Sequence, residues 1–518
     1  MIFKHSARLT GFLFLLSAAN MLPAQQPVRI LVNGYAAKQV IDRNIYGHFA
    51  ENLGRCIYDG FWRTDDPSVA GFKRIRMDVV EALKKIKVPN LRWPGGCFAD
   101  EYHWQDGIGP YAKRTRTVNT TWGNVIDDNS FGTHEFMELC RLIGCEPYIA
   151  GNVGSGTVEE MEKWVEYLNS DIPSSVTAQR AANGRNEPWR VSLWGVGNES
   201  WGCGGQMTPE FYANQYKRYA NFCKTWPNAP RIKKIASGAN SEDYNWTEVL
   251  MKNIPANQMW GVSLHYYTVP KTWADKGSAT SFPEAEYFSA MRNCLHMDEL
   301  VTRNCSIMDR YDPARRVALA VDEWGIWTNV EPGTNSAFLY QQNSMRDALI
   351  AASTLNIFNN HCDRVRLANL AQAVNVLQSI ILTDKDRMVL TPTYHVFDLY
   401  QVHQGATMIP LQFSSPDYVS NGQSLPAVNA SASKDSEGMH LSLVNIDPAH
   451  TITINAVLEG LEGKTVTGRI LTSAKFTDVN TFDEPSKVRI VPFTGASKEG
   501  NNIRIELPPL SVVMLEVK

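Results

Sequence analysis

The chain has 518 residues, of which 44% are hydrophobic and 20% charged, and its net charge is -3. These values predict a globular protein of two domains and exclude a disordered, collagen-like or coiled-coil chain. With 50 basic and 53 acidic residues, nothing argues for a nucleic-acid or anionic-membrane partner. Aromatic residues are plentiful, at 14 Trp, 19 Tyr and 20 Phe. That fits either a large aromatic core or the binding of flat, amphipathic ligands, of which sugars are one class.

Residues 1–24 read as a secretory leader. Lys4 and Arg8 form a charged start and Gly11–Ala19 an apolar stretch, with Leu22-Pro23-Ala24 before a cut. The stretch is far shorter than the ~20 residues of a spanning helix. No later apolar run is long enough to span a bilayer. The expected protein is exported, periplasmic or extracellular, with no membrane span. Its 9 cysteines are an odd number, so at least one is unpaired. Their irregular spacing predicts mostly buried thiols, with one disulfide whose partners the spacing does not assign. No Cys/His cluster has metal-ligand spacing.

From about residue 45 to 375, short apolar runs alternate with helical patterns. The expected strands begin at Ile45, Asn90, Glu146, Val191, Lys234, Gly261, Val317 and Arg364. Helical periodicity covers Phe72–Ile86, His134–Ile143, Glu159–Leu168, Pro209–Cys223 and Gln341–Asn359. Strands alternating with helices over this length predict a (β/α)8 TIM barrel. The rival, a doubly wound sheet, would usually carry a Gly-rich phosphate turn after its first strand, and none is present. Beyond about residue 390 the period changes to two. Met439–Asn445, Thr451–Asn455, Thr465–Leu471 and Ser511–Val517 alternate apolar with polar, as in a jelly-roll β-sandwich. The expected division is leader 1–24, a strand in 25–44 joining the sandwich, barrel 45–384 and sandwich 385–518.

Active sites of such barrels lie where strands end. The strand ends here carry Glu51, Arg92-Trp93-Pro94-Gly95-Gly96-Cys97, Asn198-Glu199, His265-Tyr266-Tyr267, Asp322-Glu323-Trp324 and Gln372. Glu199 and Glu323 close strands four and seven. Two opposed carboxylates are what glycoside hydrolysis requires: one protonates the departing oxygen, and the other attacks the sugar carbon or activates water.

Taken in this order, the motifs resemble glycoside hydrolase family 51, the α-L-arabinofuranosidases, over nearly the whole mature chain. Gly47–Tyr58, Arg92–Trp104, Asp106–Pro110, Trp194–Glu199, Asp322–Gly325, Ala368–Asn375 and Thr391–Phe397 carry the likeness. The resemblance implies that Glu199 is the acid/base and Glu323 the nucleophile of a retaining, exo-acting enzyme. It implies that Asn198 holds the sugar 2-hydroxyl, Tyr267 orients the nucleophile, His265 positions the acid/base, and Glu51 and Gln372 contact sugar hydroxyls. Cys97 replaces the asparagine of part of the family. A thiol is the weaker hydrogen-bonding group, and a packing role stands beside sugar contact. Trp104 and Trp324 either wall the sugar or pack the barrel top. Asn198-Glu199-Ser200 matches a glycosylation pattern by accident, because a glycan there would block the site.

The implied substrate is an arabinose-containing polysaccharide or oligosaccharide, arabinoxylan or arabinan. No cofactor or metal is implied, and relatives of this kind assemble as homo-oligomers. The alternatives are an endo-β-glucanase or xylan-directed enzyme on the same scaffold, and a non-catalytic carbohydrate-binding protein.

Overall fold

A computed structural model describes residues 27–64 and 71–518. The expected leader, 1–24, lies outside the described residues. Among the described residues, no helix is long and apolar enough to cross a membrane.

Eight parallel strands close into a barrel: Gly47–Phe49, Asn90–Trp93, Glu146–Gly151, Leu193–Val196, Lys233–Asn240, Gly261–Thr268, Ala318–Ile326 and Val365–Leu370. Each expected strand is there, within a few residues at its ends. The helices between them obey local capping rules. Thr208 accepts from Phe211 N–H ahead of Pro209 at the start of Pro209–Phe222. Thr157 accepts from Glu160 N–H at the start of Val158–Asn169, whose first turn holds Glu159 and Glu160. Oxygen acceptors and acidic residues satisfy free N–H groups at that end, and proline needs no N–H there.

The sandwich consists of two sheets. One contains Val428–Lys434, Met439–Asn445, Ser511–Val517 and Val466–Thr472 as neighbours. The other places Val28–Asn33 beside Ile452–Glu459, in parallel. The N-terminal strand therefore joins the sandwich, not the barrel. The helix after the eighth barrel strand is Pro392–Tyr400, which packs on Met345–Asn360. It lies beyond residue 384, where the period of the sequence changes.

Helix Met345–Asn360 is buried on nearly every side between barrel and sandwich. Two of its asparagines are hydrogen-bonded across that interface. Asn359 accepts from Tyr46 Oη at 2.7 Å and donates to Ser431 Oγ at 3.0 Å, and Asn356 Oδ1 accepts from Ser442 Oγ at 2.8 Å. Buried polar atoms left without such partners would cost stability, so this network makes the relative placement of the two units specific.

Candidate active site

The carboxylates converge because of how the strands end. Between Ala320 and Glu323 the seventh strand slips register against the sixth, a bulge that seats an extra residue. Adjacent side chains of a regular strand point to opposite faces. The bulge breaks that rule, and Asp322 and Glu323 both reach the barrel interior. Trp324, next in line, points outward and meets Phe358 edge-on at 5.4 Å. At strand four, Gly197 N–H closes on Gly151 O at 3.1 Å, after which Glu199 adopts a left-handed backbone with φ 39°.

Glu199 and Glu323 face each other across His265. His265 Nδ1 is 2.9 Å from Glu199 Oε1 and 3.5 Å from Glu323 Oε2, and its Nε2 is 3.2 Å from Asp322 Oδ1. One oxygen of each glutamate and one His265 nitrogen all lie within 4.8 Å of one another. Arg92 donates to Glu323 Oε2 at 3.0 Å and to Asn198 Oδ1. Tyr267 Oη donates to Glu323 Oε1 at 2.7 Å. Glu323 is thus held by two donors from two strands, while Glu199 has His265 alone among the nitrogen and oxygen donors of the described residues.

These surroundings set the charges. Burial, then the charge of Glu323, raises Glu199 above the usual carboxylate range. Burial alone would lower His265, but Glu323, Asp322 and Glu199 outweigh it and push the imidazole up to about 10. His265 is then a cation among carboxylates at neutral pH. Burial works against ionised Asp322 too, yet Arg92 and His265 hold its carboxyl low.

Glu51 closes a second side of the site. Its Oε1 accepts from Phe98 N–H at 3.0 Å and Trp122 Nε1 at 2.9 Å, and its Oε2 accepts from Gln372 Nε2 at 2.8 Å. Burial, then the charge of Glu323, pushes it up to about 7. It pairs with neither Arg55 nor Arg92. Arg55 donates to Thr383 O instead. Gly95, at φ 148°, lets the backbone pass here, because a Cβ would stand 2.2 Å from Glu51 Cγ. Gln372 Oε1 is buried and has no hydrogen-bond partner among the described residues.

Cys97 is not the free thiol expected from the sequence. It is bonded to Cys203, across 106 residues. As a disulfide it has no S–H to donate to a sugar, so that part of the expectation is corrected. It still lines the cavity. Trp104 and Trp324, one of whose two expected roles was to wall the sugar, are packing residues. Trp104 lies parallel to Trp164 and donates to Glu160 O at 3.1 Å. Trp122, Trp201, Trp273 and Trp327 line the cavity instead. They sit in loops, where no periodic pattern marks them. Asp322 and Arg92, which tie the site together, also went unassigned. Asp100 is a third omission: it accepts from Val153 and Gly154 N–H, both at 2.8 Å, and from Asn198 N–H at 3.3 Å.

The cavity these residues enclose measures about 250 Å³. A wider cleft of about 810 Å³ opens at the opposite end of the barrel, around Lys217, Lys233 and Trp260. It has no carboxylate in its lining and lies at the strand starts, so the chemistry belongs to the smaller cavity. Two donor groupings there have the spacing of cation ligands, Cys97–Glu199–Cys203 and Glu199–His265–Glu323. The sulfurs of the first are tied to each other. The second already carries the positive charges of Arg92 and His265.

Paired glutamates at the mouth of such a barrel are the apparatus of a glycoside hydrolase. Comparison with known proteins narrows the class. Residues 82–282 match the model of the α-L-arabinofuranosidase 1 domain, and residues 322–511 that of the α-L-arabinofuranosidase C-terminal domain. An intracellular exo-α-L-arabinofuranosidase of Bacteroides ovatus is 48% identical, over 97% of this chain and 98% of its own. The crystal structure of a family 51 arabinofuranosidase from Xanthomonas axonopodis pv. citri is 47% identical with a TM-score of 0.93, over 95% of this chain and 100% of its own. An α-L-arabinofuranosidase from Thermotoga maritima, solved as an arabinose complex, is 32% identical with a TM-score of 0.83, over 95% and 99%. The chain belongs to glycoside hydrolase family 51 and has the arabinofuranosidase activity of that family. The Bacteroides ovatus relative also corrects the expectation of export. An enzyme matching this chain over nearly its full length is named intracellular, and a short apolar run is not by itself an address.

Proposed function

We propose that the protein is a retaining, exo-acting α-L-arabinofuranosidase that removes terminal arabinofuranosyl groups from arabinoxylan, arabinan or their oligosaccharides. The observation that carries this reading is the placement of Glu199 and Glu323, with carboxylate oxygens within 4.8 Å, in a cavity of about 250 Å³. Carboxyl groups ~5–5.5 Å apart serve a covalent intermediate, whereas inverting enzymes leave ~6.5–9.5 Å for a water. The cavity suits one pentose better than a threaded polymer.

In this mechanism Glu323, held by Arg92 and Tyr267, attacks the anomeric carbon as carboxylate. Glu199 gives its proton to the leaving oxygen. Glu323 is then esterified and neutral, which removes the charge that helped raise Glu199. Glu199 next takes a proton from water, and the water opens the ester with net retention. Asn198 has its oxygen occupied by Arg92, so its Nδ2 is the group left for the sugar 2-hydroxyl. Glu51 and the unpartnered Gln372 Oε1 receive other sugar hydroxyls, since a buried acceptor without a donor calls for one. His265 holds Glu199 in place. We divide the chain into a barrel that extends through the helix Pro392–Tyr400 and a sandwich that includes Val28–Asn33.

The test is hydrolysis of 4-nitrophenyl α-L-arabinofuranoside beside the β-D-xyloside and β-D-glucoside, by wild type and Glu323→Ala. Arabinofuranoside turnover that disappears in the variant is the expected result. Turnover of intact β-glucan or xylan without arabinofuranoside turnover would overturn it.

A further inference from the structure

The Cys97–Cys203 disulfide stands against the proposed acid/base. Cys203 Sγ is 3.4 Å and Cys97 Sγ 3.8 Å from the same oxygen, Glu199 Oε2. Neither sulfur carries a hydrogen, so both are contacts without donation. Cys203 also lies 3.8 Å from Asn198 Nδ2. It belongs to a tightly wound segment in which Gly202 N–H and Gly204 N–H both turn back to Glu199 O, at 2.7 and 3.1 Å. No side chain fits at Gly204, where a Cβ would stand 1.8 Å from Asn198 O. The bond ties this segment to the loop after the second barrel strand. Cys203 is exposed and Cys97 half-buried, whereas Cys56, Cys140, Cys223, Cys294 and Cys362 are buried free thiols. A reductant therefore has access to the one disulfide found among the described residues, and that bond touches a catalytic carboxyl.

We propose that Cys97–Cys203 is a thiol–disulfide exchange site that sets the acid strength of Glu199. The proposal rests on the acid/base reading of Glu199 given above. A dithiol of the thioredoxin class, or dithiothreitol in vitro, attacks Cys203 as thiolate and releases Cys97 as a thiol. Its second sulfur resolves the mixed disulfide. Two electrons pass to the protein, which ends with two thiols, and the reductant ends as its own disulfide. The two sulfurs then separate, and each brings an S–H within reach of Glu199 Oε2. Donors to a carboxylate stabilise its ionised form. Reduction therefore leaves less of Glu199 in the protonated form that a poor leaving group needs, and also frees the loop that holds it.

The experiment compares oxidised and dithiothreitol-reduced whole enzyme on methyl and 4-nitrophenyl α-L-arabinofuranosides. Native alkylation and peptide mass spectrometry report the state of Cys97 and Cys203. Because general acid catalysis is worth ~10²–10⁴-fold, the methyl glycoside should slow by about tenfold or more on reduction, and the nitrophenyl glycoside by less than about twofold. Oxidised glutathione should restore the rate. Cys203→Ser should behave as the reduced enzyme and ignore reductant. Alkylation of both cysteines before reduction, unchanged rates after proven reduction, or equal loss on both substrates would each overturn the proposal. Glu199→Ala on the same pair separates the two readings. If it slows both glycosides equally, the acid/base role fails. If it discriminates between them and reduction does not, only the exchange site fails.

Discussion

The two rims that carry the glutamates are built in opposite ways. At strand seven, Glu323 sits behind a bulge and receives charged and phenolic donors from two other strands, Arg92 of the second at 3.0 Å and Tyr267 of the sixth at 2.7 Å. At strand four, Glu199 stands on a left-handed turn, with one imidazole partner and two sulfurs that donate nothing. Both side chains are largely buried, 10% and 16% exposed. Burial helps raise Glu199 above the usual carboxylate range. Arg92 and Tyr267 donate to Glu323, whereas the scarcity of donors at Glu199 favours its protonated form. One residue type thus stands in two unlike surroundings, the difference on which the proposed roles rest.

The sharpest way to break this comparison is to remove each carboxylate. Glu323→Ala should cost at least about 10⁴-fold in kcat on every arabinofuranoside, because nothing else on that rim can form the intermediate. Glu199→Ala should cost ~10²–10⁴-fold on natural glycosides and much less on the 4-nitrophenyl substrate. Added azide should then accelerate the variant and give the glycosyl azide with retained configuration. An inverted azide would mean that the two roles have been exchanged or misread.

Tyr267→Phe tests the donors of the strand-seven rim. A hydrogen bond to a charged group is worth ~1.5–3 kcal/mol, so kcat should fall about 10- to 100-fold with KM little changed. The same loss in KM alone would make Tyr267 a binding residue only.

His265 links the rims, and its charge makes a stability prediction. Its folded value of about 10 lies above the unfolded ~6.5. The stabilisation from the cation is therefore complete below about 6.5 and disappears as pH climbs towards 10. The Tm of wild type should drop across that window, and the Tm of His265→Asn should drop less. Parallel curves for the two proteins would show that the imidazole is neutral in the fold. For catalysis the sign follows Glu199: its raised value keeps the acid protonated at higher pH, so the alkaline limb of kcat/KM should flatten in Glu199→Ala.

The smallest effect is expected outside both rims. Trp273 is 59% exposed at the cavity mouth and meets Trp327 edge-on at 5.6 Å. Its replacement by Ala should raise KM for arabino-oligosaccharides by about threefold and leave the nitrophenyl substrate unaffected, in keeping with ~0.5–1.5 kcal/mol for an aromatic contact. Equal changes on both substrates would place Trp273 at the arabinose ring instead.

Much of this was legible in the linear chain. Short apolar runs between segments of period 3.6 located every barrel strand, because parallel strands covered on both faces read as continuous apolar runs. Strand ends then placed Glu51, Asn198, Glu199, His265, Tyr267, Glu323 and Gln372 around one mouth, since parallel closure leaves them nowhere else to point. Other features depended on contacts between residues far apart in sequence, which carry no period. The pairing of Cys97 with Cys203 requires two loops to meet. The inward turn of Asp322 beside Glu323 requires a register slip that only the neighbouring strand defines. The tryptophans of the cavity were found only in the folded chain, because loop side chains are placed by packing, and Trp104 and Trp324 were drawn into the core for the same reason. The sequence determined which chemistry is present and at which end of the barrel. The tertiary structure decided which glutamate is well supplied with donors, because those donors come from strands and loops far apart in sequence, and on that difference the proposed division of work rests.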